Sequence, residues 1–325
     1  MAAAAGRHDA EVRFESCPEV VFPLGVFFAR EVLRRAARNV DVVVIDSIAA
    51  AEAAPWTRNT GVPLVAILHQ VPGGIDHGPL RNRLQSYLDE RTYRRARILM
   101  VASETLAADL RARGFPPQQI RVVAPGRDPA QPVRPLPDLR AGRRAAFLCV
   151  GNWIPRKGIL DVLEAMQHLP PDAATLHLVG DDGADRRYAA RVRERLRDPA
   201  LADRVVVHGP RPAAHVAAMY EAADVFVLPS TREPYGTVLG EALAAGLPIV
   251  GWDAGNLPHL AANGREAVIL PVGDLAGLAA ALEELATDGE RRAAMADAAR
   301  RRGLALPTWD DTARQFFSAL RAAVS

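Results

Sequence analysis

Residues 225–250 of the chain read VFVLPSTREPYGTVLGEALAAGLPIV, and this stretch decides the fold class. Two short apolar and β-branched runs, Val225–Leu228 and Leu247–Val250, have the length and composition of buried strands. Between them, Gly236 is predicted to open a helix. A strand, a helix and a further strand at this spacing are typical of a parallel sheet with helices on its faces.

The same alternation of strand and helix continues in both directions from this stretch. Because it fills both halves of the chain, the sequence predicts an α/β protein with two parallel sheets. Ligands of such sheets bind at the carboxyl ends of the strands, so one ligand is expected between the two domains. The other predicted strands are Val40–Ile45, Leu64–Leu68, Ile98–Val101, Ile120–Val123, Ala146–Val150, Thr175–Val179, Arg204–Val207 and Val268–Leu270.

A proline-rich stretch separates the two halves. Five prolines fall between Pro125 and Arg144, where they exclude a continuous helix and make a poor central strand. We interpret this stretch as an interdomain linker. The predicted organisation is an N-terminal domain over 1–126, a linker over 127–144, a C-terminal domain over 145–306, and a last helix over 307–325 that packs back toward the N-terminal domain.

Composition bounds the class of protein. The chain has 325 residues, 49% of them hydrophobic and 24% charged, which is typical of a soluble globular protein. Its 40 basic and 38 acidic side chains leave a formal charge of +2, so nothing indicates nucleic acid as a partner. Two isolated cysteines, Cys17 and Cys149, indicate a reducing compartment. Without a signal peptide or an apolar run of about 18 residues, the expected location is cytoplasmic.

The single lysine of the chain, Lys157, follows Arg156 in the segment GNWIPRKG, which lies between a predicted strand and a helix that Gly158 opens. A compact ammonium group beside a guanidinium fork is suited to a diphosphate. Backbone amides at the helix start add positive potential, so this loop could neutralise a diphosphate without a metal ion. The alternative is an exposed basic turn in which one lysine survives by chance.

Two glutamates eight positions apart, Glu233 and Glu241, mark the loop that follows Val225–Leu228. Pro234 and Gly236 keep Glu233 off the helix, from where it could reach the hydroxyls of a sugar. Glu241 falls in the first turns of the helix, and its carboxylate can accept two hydrogen bonds from a vicinal diol such as that of ribose. An ordinary favourable interaction with the helix dipole is the alternative for Glu241.

A third loop, Gly180–Gly183, also follows an apolar strand, and glycine there allows a ligand to approach the backbone. Asp181, Asp182 and Asp185 are crowded into this turn. We interpret these carboxylates as caps of the following helix and not as metal ligands. No metal site is therefore predicted.

These motifs resemble the donor half of the retaining GT-B glycosyltransferases of the family-4 type, also called glycosyl transferases group 1. The family pattern E-x7-E is written E-G-F-G…E-A before A-x-G-x-P. Here it reads Glu233-Pro-Tyr-Gly236 and Glu241-Ala242, followed by Ala245-Gly-Leu-Pro248. The resemblance runs from about Val40 to the C-terminus. It implies two Rossmann-like domains that face a cleft.

The resemblance also implies a role for each motif residue. The donor would be a nucleotide-diphosphate sugar and the acceptor is unknown, with neither a cofactor nor a metal ion required. Arg156 and Lys157 would bind the donor diphosphate, Glu241 the ribose and Glu233 the transferred sugar. The anomeric configuration of the sugar would be retained, because the acceptor would attack the face from which the diphosphate leaves. The other candidates for donor binding are Gly151, Gly180, Tyr235, Gly236, Thr237 and Val238.

The first half of the chain resembles the family less completely. His69 ends the strand Leu64–Leu68 and resembles the family histidine near the transferred sugar, which makes it a fourth catalytic candidate. Nothing before Val20 resembles the strand, glycine-rich loop and helix with which family members begin. We therefore expect a shortened N-terminal domain, a domain whose start has been lost, or a partner chain that supplies the loop. The alternatives to a transferase are a non-catalytic nucleotide-sugar binder, the donor-binding subunit of a split enzyme, and a sugar-nucleotide epimerase.

Peripheral membrane contact is a further hypothesis. The apolar segment Val20–Phe28 leads into Arg30 and Arg34, and Arg81–Arg97 forms a second arginine-rich helical pattern. Such segments can lie on anionic lipid, which would place the protein at the inner face of the membrane. The alternative is a pair of core-facing helices with solvated charged faces.

Overall fold

The computed structural model describes residues 1–17, 22–74, 78–127 and 131–325. The chain divides into two compact units, one of Met1–Gly126 with Pro307–Ser325 and the other of Arg127–Leu306. Each unit contains a parallel sheet flanked by helices. The predicted α/β class with two parallel-sheet domains is confirmed.

The first unit is built on a four-stranded parallel sheet in the order β1-β2-β3-β4. Its strands pair in register, with Val43 opposite Leu64 and Val65 opposite Ile98. One face of the sheet carries the last helix of the chain, whose Phe316 and Phe317 are buried. The elements of this unit are α1 (Val26–Ala36), β1 (Val43–Asp46), α2 (Ser47–Ala53), β2 (Leu64–Leu68), α3 (Pro79–Tyr93), β3 (Ile98–Val101), α4 (Glu104–Ala112), β4 (Ile120–Val122) and α12 (Trp309–Val324).

The second unit is built on a six-stranded parallel sheet in the order β10-β9-β8-β5-β6-β7. Its elements are β5 (Ala145–Val150), α5 (Ile159–His168), β6 (Ala174–Val179), α6 (Arg186–Arg195), β7 (Val205–Gly209), α7 (Ala213–Ala222), β8 (Val225–Val227), α8 (Thr237–Ala245), β9 (Ile249–Trp252), α9 (Leu257–Leu260), β10 (Ala267–Leu270), α10 (Leu275–Thr287) and α11 (Gly289–Leu304). The chain winds outward in one direction from β5 and in the other direction from β8. Ligands of open α/β sheets bind at such a switch point, outside the carboxyl ends of the strands.

All ten predicted strands are present. Leu64–Leu68 and Ile98–Val101 have the predicted ends, and the ends of the other strands are shifted. The strand predicted at Leu247–Val250 begins at Ile249, because the amide of Leu247 closes the end of α8 by donating to the Ala242 carbonyl at 2.9 Å. Pro248 then has no N–H to donate to a neighbouring strand. The described part of the proline-rich stretch packs on the second unit, where Arg140 forms two hydrogen bonds with Asp224 at 2.6 and 2.9 Å.

A pair of histidines, the buried His177 and the half-buried His208, couples the stability of the second unit to pH. His177 lies on β6, with Nε2 at 2.7 Å from the Leu139 carbonyl and Nδ1 at 2.9 Å from His208 Nε2. A carbonyl only accepts, so His177 donates from Nε2 and receives the proton of His208 at Nδ1. Burial lowers the pKa of His177. Burial, followed by the charges of His177 and Arg211, lowers the pKa of His208 to about 4.

Lowering the pH from about 6.5 toward 5 is expected to destabilise the protein through this pair. The unfolded chain takes up protons near pH 6.5, whereas in the folded protein the pKa of His177 is lowered and that of His208 is lowered to about 4, so acid favours unfolding across this window. Urea unfolding at both pH values measures the loss. The His208→Gln variant should lose less stability than the wild type, and an equal loss in both proteins would contradict the assignment.

Candidate active site

The sequence-predicted loops of the second unit meet at the carboxyl edge of its sheet, on both sides of the switch point. The loops after β5 and β6 touch through their backbones, because a Cβ atom on Gly180 would lie 2.1 Å from the Gly151 carbonyl oxygen. Gly180 also has a φ of +148°, a backbone conformation that L-residues other than glycine rarely adopt. Gly180 therefore serves the close approach of the two loops.

Lys157 ends a short 3₁₀ turn, Pro155–Lys157, and is buried with 8% of its surface exposed. Its aliphatic stem runs along Gly151, where an added Cβ atom would lie 3.3 Å from the lysine Cδ. Gly158 follows in a left-handed conformation and begins α5. The turn thus holds one ammonium group at the edge of the sheet, beside the backbone of the loop after β5.

The structure brings Arg156, Lys157 and Glu233 together. The lysine Nζ lies 2.6 Å from Glu233 Oε2, and an Arg156 Nη1 atom lies 3.6 Å from the same oxygen. Only 12% of the Glu233 side chain is exposed, so this carboxylate is largely shielded from water. The sequence predicted these three residues at one site but not their direct pairing. A buried cation needs a negatively charged partner, so Lys157 is suited to exchanging Glu233 for an anionic ligand.

The loop from Glu233 to Gly236 is braced by a residue that sequence reasoning missed. Asn256 is buried, its amide donates to the Glu233 carbonyl at 2.9 Å, and its side-chain Nδ2 donates to the Tyr235 carbonyl at 2.8 Å. Gly236 then turns at a φ of +79° and begins α8 without a side-chain cap. The amides of Thr237 and Val238 lie at this helix start, where an anion is favoured.

Glu241 lies one turn further along α8, where its Oε2 is 3.1 Å from the Tyr220 hydroxyl. That hydroxyl is also 3.2 Å from the Val238 carbonyl. Burial raises the pKa of Glu241, while the Tyr220 hydrogen bond and the charge of Arg127 act to lower it. The carboxylate is thus held at one oxygen by a hydroxyl, while the residue keeps an exposed surface.

His69 lies in the first unit, just after the carboxyl end of β2. Its Nε2 is 3.1 Å from Oδ2 of Asp46, which ends β1 and accepts a hydrogen bond from the Ile48 amide at 2.9 Å. The hydrogen bond to Asp46 raises the pKa of His69 despite partial burial. The sequence predicted the histidine but missed Asp46, because β1 was expected to end at Ile45.

The acidic turn after β6 forms local contacts. Asp185 caps α6 by accepting from the amides of Arg187 and Tyr188, both at 3.0 Å, and Asp182 pairs with Arg193. Within residues 1–17, 22–74, 78–127 and 131–325, no group of three or more His, Cys, Asp or Glu side chains could hold a metal ion.

Gly158→Ala is expected to destabilise the second unit more than Gly209→Ala does. The two glycines have similar φ values, +68° and +64°, so the conformational penalty is matched. At position 158 the new Cβ would lie 2.3 Å from the Pro229 carbonyl oxygen, whereas at 209 no described atom lies within 4 Å. We expect a difference of about 2 kcal/mol in the free energy of unfolding. Equal free energies of unfolding for the two variants, measured with urea, would show that the loop after β5, which contains Gly158, does not contact the loop after β8, which contains Pro229.

Two parallel α/β units, with a cation pair and two glutamates at the sheet edge of the second, define the class of GT-B glycosyltransferase folds. Residues 138–302 match the family Glycosyl transferases group 1, and residues 2–126 match the Glycosyl transferase 4-like domain. The chain belongs to the Glycosyl transferases group 1 family. The membership predicted from the motifs is confirmed.

Curated relatives include the D-inositol 3-phosphate glycosyltransferase of Xylanimonas cellulosilytica, which is 32% identical over 216 residues, or 62% of this chain and 51% of the relative. A GDP-mannose-dependent α-(1-6)-phosphatidylinositol monomannoside mannosyltransferase of Mycobacterium tuberculosis is 29% identical over 203 residues, 60% and 52% of the two chains. The chain thus spans about half the length of the curated relatives it matches.

Solved structures share the fold along almost the whole chain. Anabaena HepE in complex with UDP-glucose has a TM-score of 0.81 and 21% identity, covering 98% of this chain and 88% of its own. Sucrose-phosphate synthase from Thermosynechococcus elongatus has a TM-score of 0.80 and 21% identity, covering 96% and 82%. At this level of sequence identity, the similarity to these structures establishes the fold alone.

Proposed function

We propose that the protein is a retaining glycosyltransferase that moves a sugar from a nucleotide-diphosphate sugar to an acceptor without a metal ion. The observation that carries the proposal is the buried Lys157–Glu233 pair, with Arg156 beside it, at the switch point of the sheet. The family and the uncapped start of α8 support it. HepE is solved with UDP-glucose and the mycobacterial relative is GDP-mannose-dependent, so uridine and guanosine donors are the first to test.

In this proposal the donor lies along the carboxyl edge of the second sheet. Its diphosphate contacts Arg156, Lys157 and the amides of Thr237 and Val238, and its ribose diol donates to Glu241. When the diphosphate displaces Glu233 from Lys157, that carboxylate becomes available to accept hydrogen bonds from the sugar. Cations and helix amides at fixed positions are suited to a site where negative charge develops.

The reaction then needs no protein nucleophile. The bond between the anomeric carbon and the diphosphate oxygen breaks, and the acceptor hydroxyl attacks the same face. A phosphate oxygen takes the acceptor proton, and the products are a glycoside and a nucleoside diphosphate. Arg156 and Lys157 stabilise the charge on the leaving diphosphate. His69, held by Asp46 at 3.1 Å, is proposed to contact the transferred sugar.

The test is release of nucleoside diphosphate from UDP-glucose or GDP-mannose with EDTA present. Inositol 3-phosphate and phosphatidylinositol mannoside are offered as acceptors, since the named relatives act on such compounds. The proposal predicts acceptor-dependent release and a product whose anomeric configuration matches the donor by NMR. Donor binding without acceptor-dependent release would favour a nucleotide-sugar binder or a split enzyme. Inverted configuration would contradict the mechanism.

We also propose that the first unit contacts anionic lipid. On α3 the apolar side chains Leu80, Leu84 and Tyr87 are exposed at helical spacing, with 82% of Leu80 accessible, and Phe27 is exposed on α1. Arg81 lies over the Phe22 ring at 5.5 Å, which joins the two segments. Exposed apolar residues interspersed with arginines are complementary to an anionic bilayer. Val20 and Val21 of the segment predicted from sequence lie outside the described residues, within which no helix is both long and apolar enough to cross a membrane.

Sedimentation with vesicles of phosphatidylglycerol and phosphatidylcholine tests this surface. The wild type should co-sediment at low salt, and the double variant Leu80→Ser with Leu84→Ser should lose at least about tenfold in lipid affinity. Leu304→Ser is the control, because Leu304 is equally exposed, at 84%, but lies in the second unit. Equal binding by all three proteins would remove the proposal. A concentration-dependent dimer that the double variant abolishes would assign the surface to a second copy instead.

A further inference from the structure

Asn256 follows β9 and stands at the residue from which α9 begins. An asparagine at this position ordinarily caps the helix by accepting a hydrogen bond from the amides of the first turn. In the part of the chain that the structure describes, the side chain makes no such cap. Its Nδ2 donates to the Tyr235 carbonyl at 2.8 Å, although only 3% of the residue is exposed. A buried polar side chain is thus used to hold the neighbouring loop.

The loops after β8 and β9 are joined at two further points. The backbone amide of Asn256 donates to the Glu233 carbonyl at 2.9 Å. Gly255 turns at a φ of +59°, and a Cβ atom there would lie 2.6 Å from both the amide nitrogen and the carbonyl oxygen of Glu233. Glycine is therefore required at position 255 by the turn and by the approach of this backbone. Gly255 and Asn256 contact the chain on both sides of the Glu233 side chain.

The upstream half of the loop after β8 is held from the opposite side. The hydroxyl of the buried Ser230 donates to the Arg156 carbonyl at 2.9 Å, and the Thr231 amide donates to the same carbonyl at 2.9 Å. The loop therefore lies between the loops after β5 and β9, in agreement with the strand order β9-β8-β5. The downstream half, which carries Glu233, is held by the loop after β9.

The position of this backbone matters most once a donor is bound. Without a ligand, the Glu233 carboxylate is directed by Lys157, whose Nζ lies 2.6 Å away. In the proposed function the diphosphate takes over the lysine, and the carboxylate accepts hydrogen bonds from the transferred sugar. Its direction then depends on the backbone that carries it. A displacement of about 1 Å in such a group can cost about 100-fold in rate.

We infer that Asn256 is a positioning residue for the sugar subsite, because it fixes the backbone that aims Glu233 at the transferred sugar. The inference rests on the proposed function, in which Glu233 contacts that sugar. Asn256 acts through Glu233 and not by contact with the nucleotide. Its removal should therefore reduce what the sugar adds to donor binding and leave the binding of the nucleotide in place.

The test is calorimetric binding of UDP-glucose and UDP, and of GDP-mannose and GDP, with EDTA present. The affinity ratio is the affinity for the nucleotide sugar divided by the affinity for the free nucleotide of the same base. Asn256→Leu keeps the length and branching of the side chain and removes the donor to Tyr235. It should lower the affinity ratio by about tenfold, the equivalent of one hydrogen bond to a charged group. Free nucleotide should bind at least as tightly as to the wild type.

A double-mutant cycle tests whether Asn256 acts through Glu233. Glu233→Gln should itself lower the affinity ratio, because the sugar loses its carboxylate partner. Adding Asn256→Leu to that variant should lower the ratio by less than about twofold more, since independent effects multiply and coupled effects do not. A factor of about ten in both backgrounds would show that Asn256 acts without Glu233, and the positioning role would be overturned.

Thr175→Val is the matched control, because it removes a buried hydroxyl that donates to the Arg140 carbonyl at 2.8 Å, at the start of β6. It should keep the wild-type affinity ratio. Gly255→Ala is an independent variant that displaces the Glu233 backbone and should reproduce the loss. Its control is Gly264→Ala, where φ is +79° and no described atom lies within 4 Å of the new Cβ. Thermal unfolding of each variant separates lost binding from lost structure.

The outcomes separate this inference from the proposed function. If the wild type binds none of the four compounds, or if Glu233→Gln keeps the wild-type affinity ratio, the proposed function fails. If Glu233→Gln lowers the ratio while Asn256→Leu and Gly255→Ala both keep it, the inference alone is wrong. An equal loss of affinity for free nucleotide and nucleotide sugar would show that Asn256 supports the whole site, which would also overturn its role in the sugar subsite.

Discussion

Lys157→Ala is expected to lower turnover by about 100-fold or more, and Arg156→Ala by a similar factor. Both cations are proposed to stabilise the charge on the leaving diphosphate, and removing one fixed donor from such a site typically costs two orders of magnitude. The lysine is the more deeply placed of the two, since 10% of its side chain is exposed against 21% for Arg156. Steady-state rates at saturating donor measure the effect.

Lys157→Arg sharpens this prediction, because it keeps the charge and changes the shape. The lysine stem passes 3.3 Å from where a Cβ atom on Gly151 would be, so a wider guanidinium has little room. We expect Lys157→Arg to lose most of the activity as well. Arg187→Ala on α6 is the control with one cation fewer at the surface. Turnover within a few-fold of wild type in Lys157→Ala would exclude the lysine from the reaction.

Glu233→Gln is expected to change the binding of free nucleotide and the transfer of sugar in opposite directions. Without a ligand, the carboxylate neutralises Lys157 at 2.6 Å, and the diphosphate must displace it. Removing the charge should strengthen binding of UDP or GDP by about tenfold, which corresponds to 1.4 kcal/mol. Turnover should fall by about 100-fold, because the transferred sugar loses its carboxylate partner.

Calorimetry of UDP or GDP binding and initial rates of sugar transfer, measured on the same preparation, test this second prediction. Glu194→Gln, a change of the same kind on the surface of α6, should leave both quantities unchanged. Weaker binding of free UDP or GDP by Glu233→Gln would show that the carboxylate does not compete with the diphosphate. The ion pair would then be a structural feature of the loop.

The fold could be predicted because its central strands are buried on both faces. β5 is apolar throughout, β6 is apolar apart from Thr175 and His177, and both are almost fully buried, so they stand out between turn residues. Strand ends were predicted less well, since they depend on hydrogen bonds such as that from Leu247 to Ala242, which closes α8. The order of the strands in the second sheet could not be predicted, because the length and composition of a strand do not indicate which strands lie beside it.

The candidate site was predicted where its chemistry lies in short motifs. Each of the four residues stands beside glycine or proline after a strand: Arg156, Lys157 and Glu233 in loops, and Glu241 in the helix α8. Their partners were missed because they come from distant parts of the chain. Lys157 and Glu233 are 76 positions apart, and Arg127 reaches Thr237 across 110. No local pattern records such pairings.

The roles of the site residues stay predictions. The same holds for retention of the anomeric configuration and for catalysis without a metal ion, and the acceptor stays unidentified. Neither the family nor the shared fold assigns the sugar, because donor choice depends on side chains that differ among relatives. The chain divides after Gly126 and before Pro307, and the separate linker over 127–144 stays a prediction. A partner chain that supplies an N-terminal loop also stays a prediction. Among the described residues ahead of β1, none lies in a strand.

The central claim is that the carboxyl edge of the second sheet binds a nucleotide-diphosphate sugar. Calorimetric titration of UDP-sugars and GDP-sugars, with EDTA present, into wild type and Glu241→Ala tests it most directly. We predict that one donor binds the wild type and that the variant loses at least about tenfold in affinity, the equivalent of one ribose hydrogen-bonding partner. If no donor binds, or if the variant binds as tightly as the wild type, the claim is contradicted.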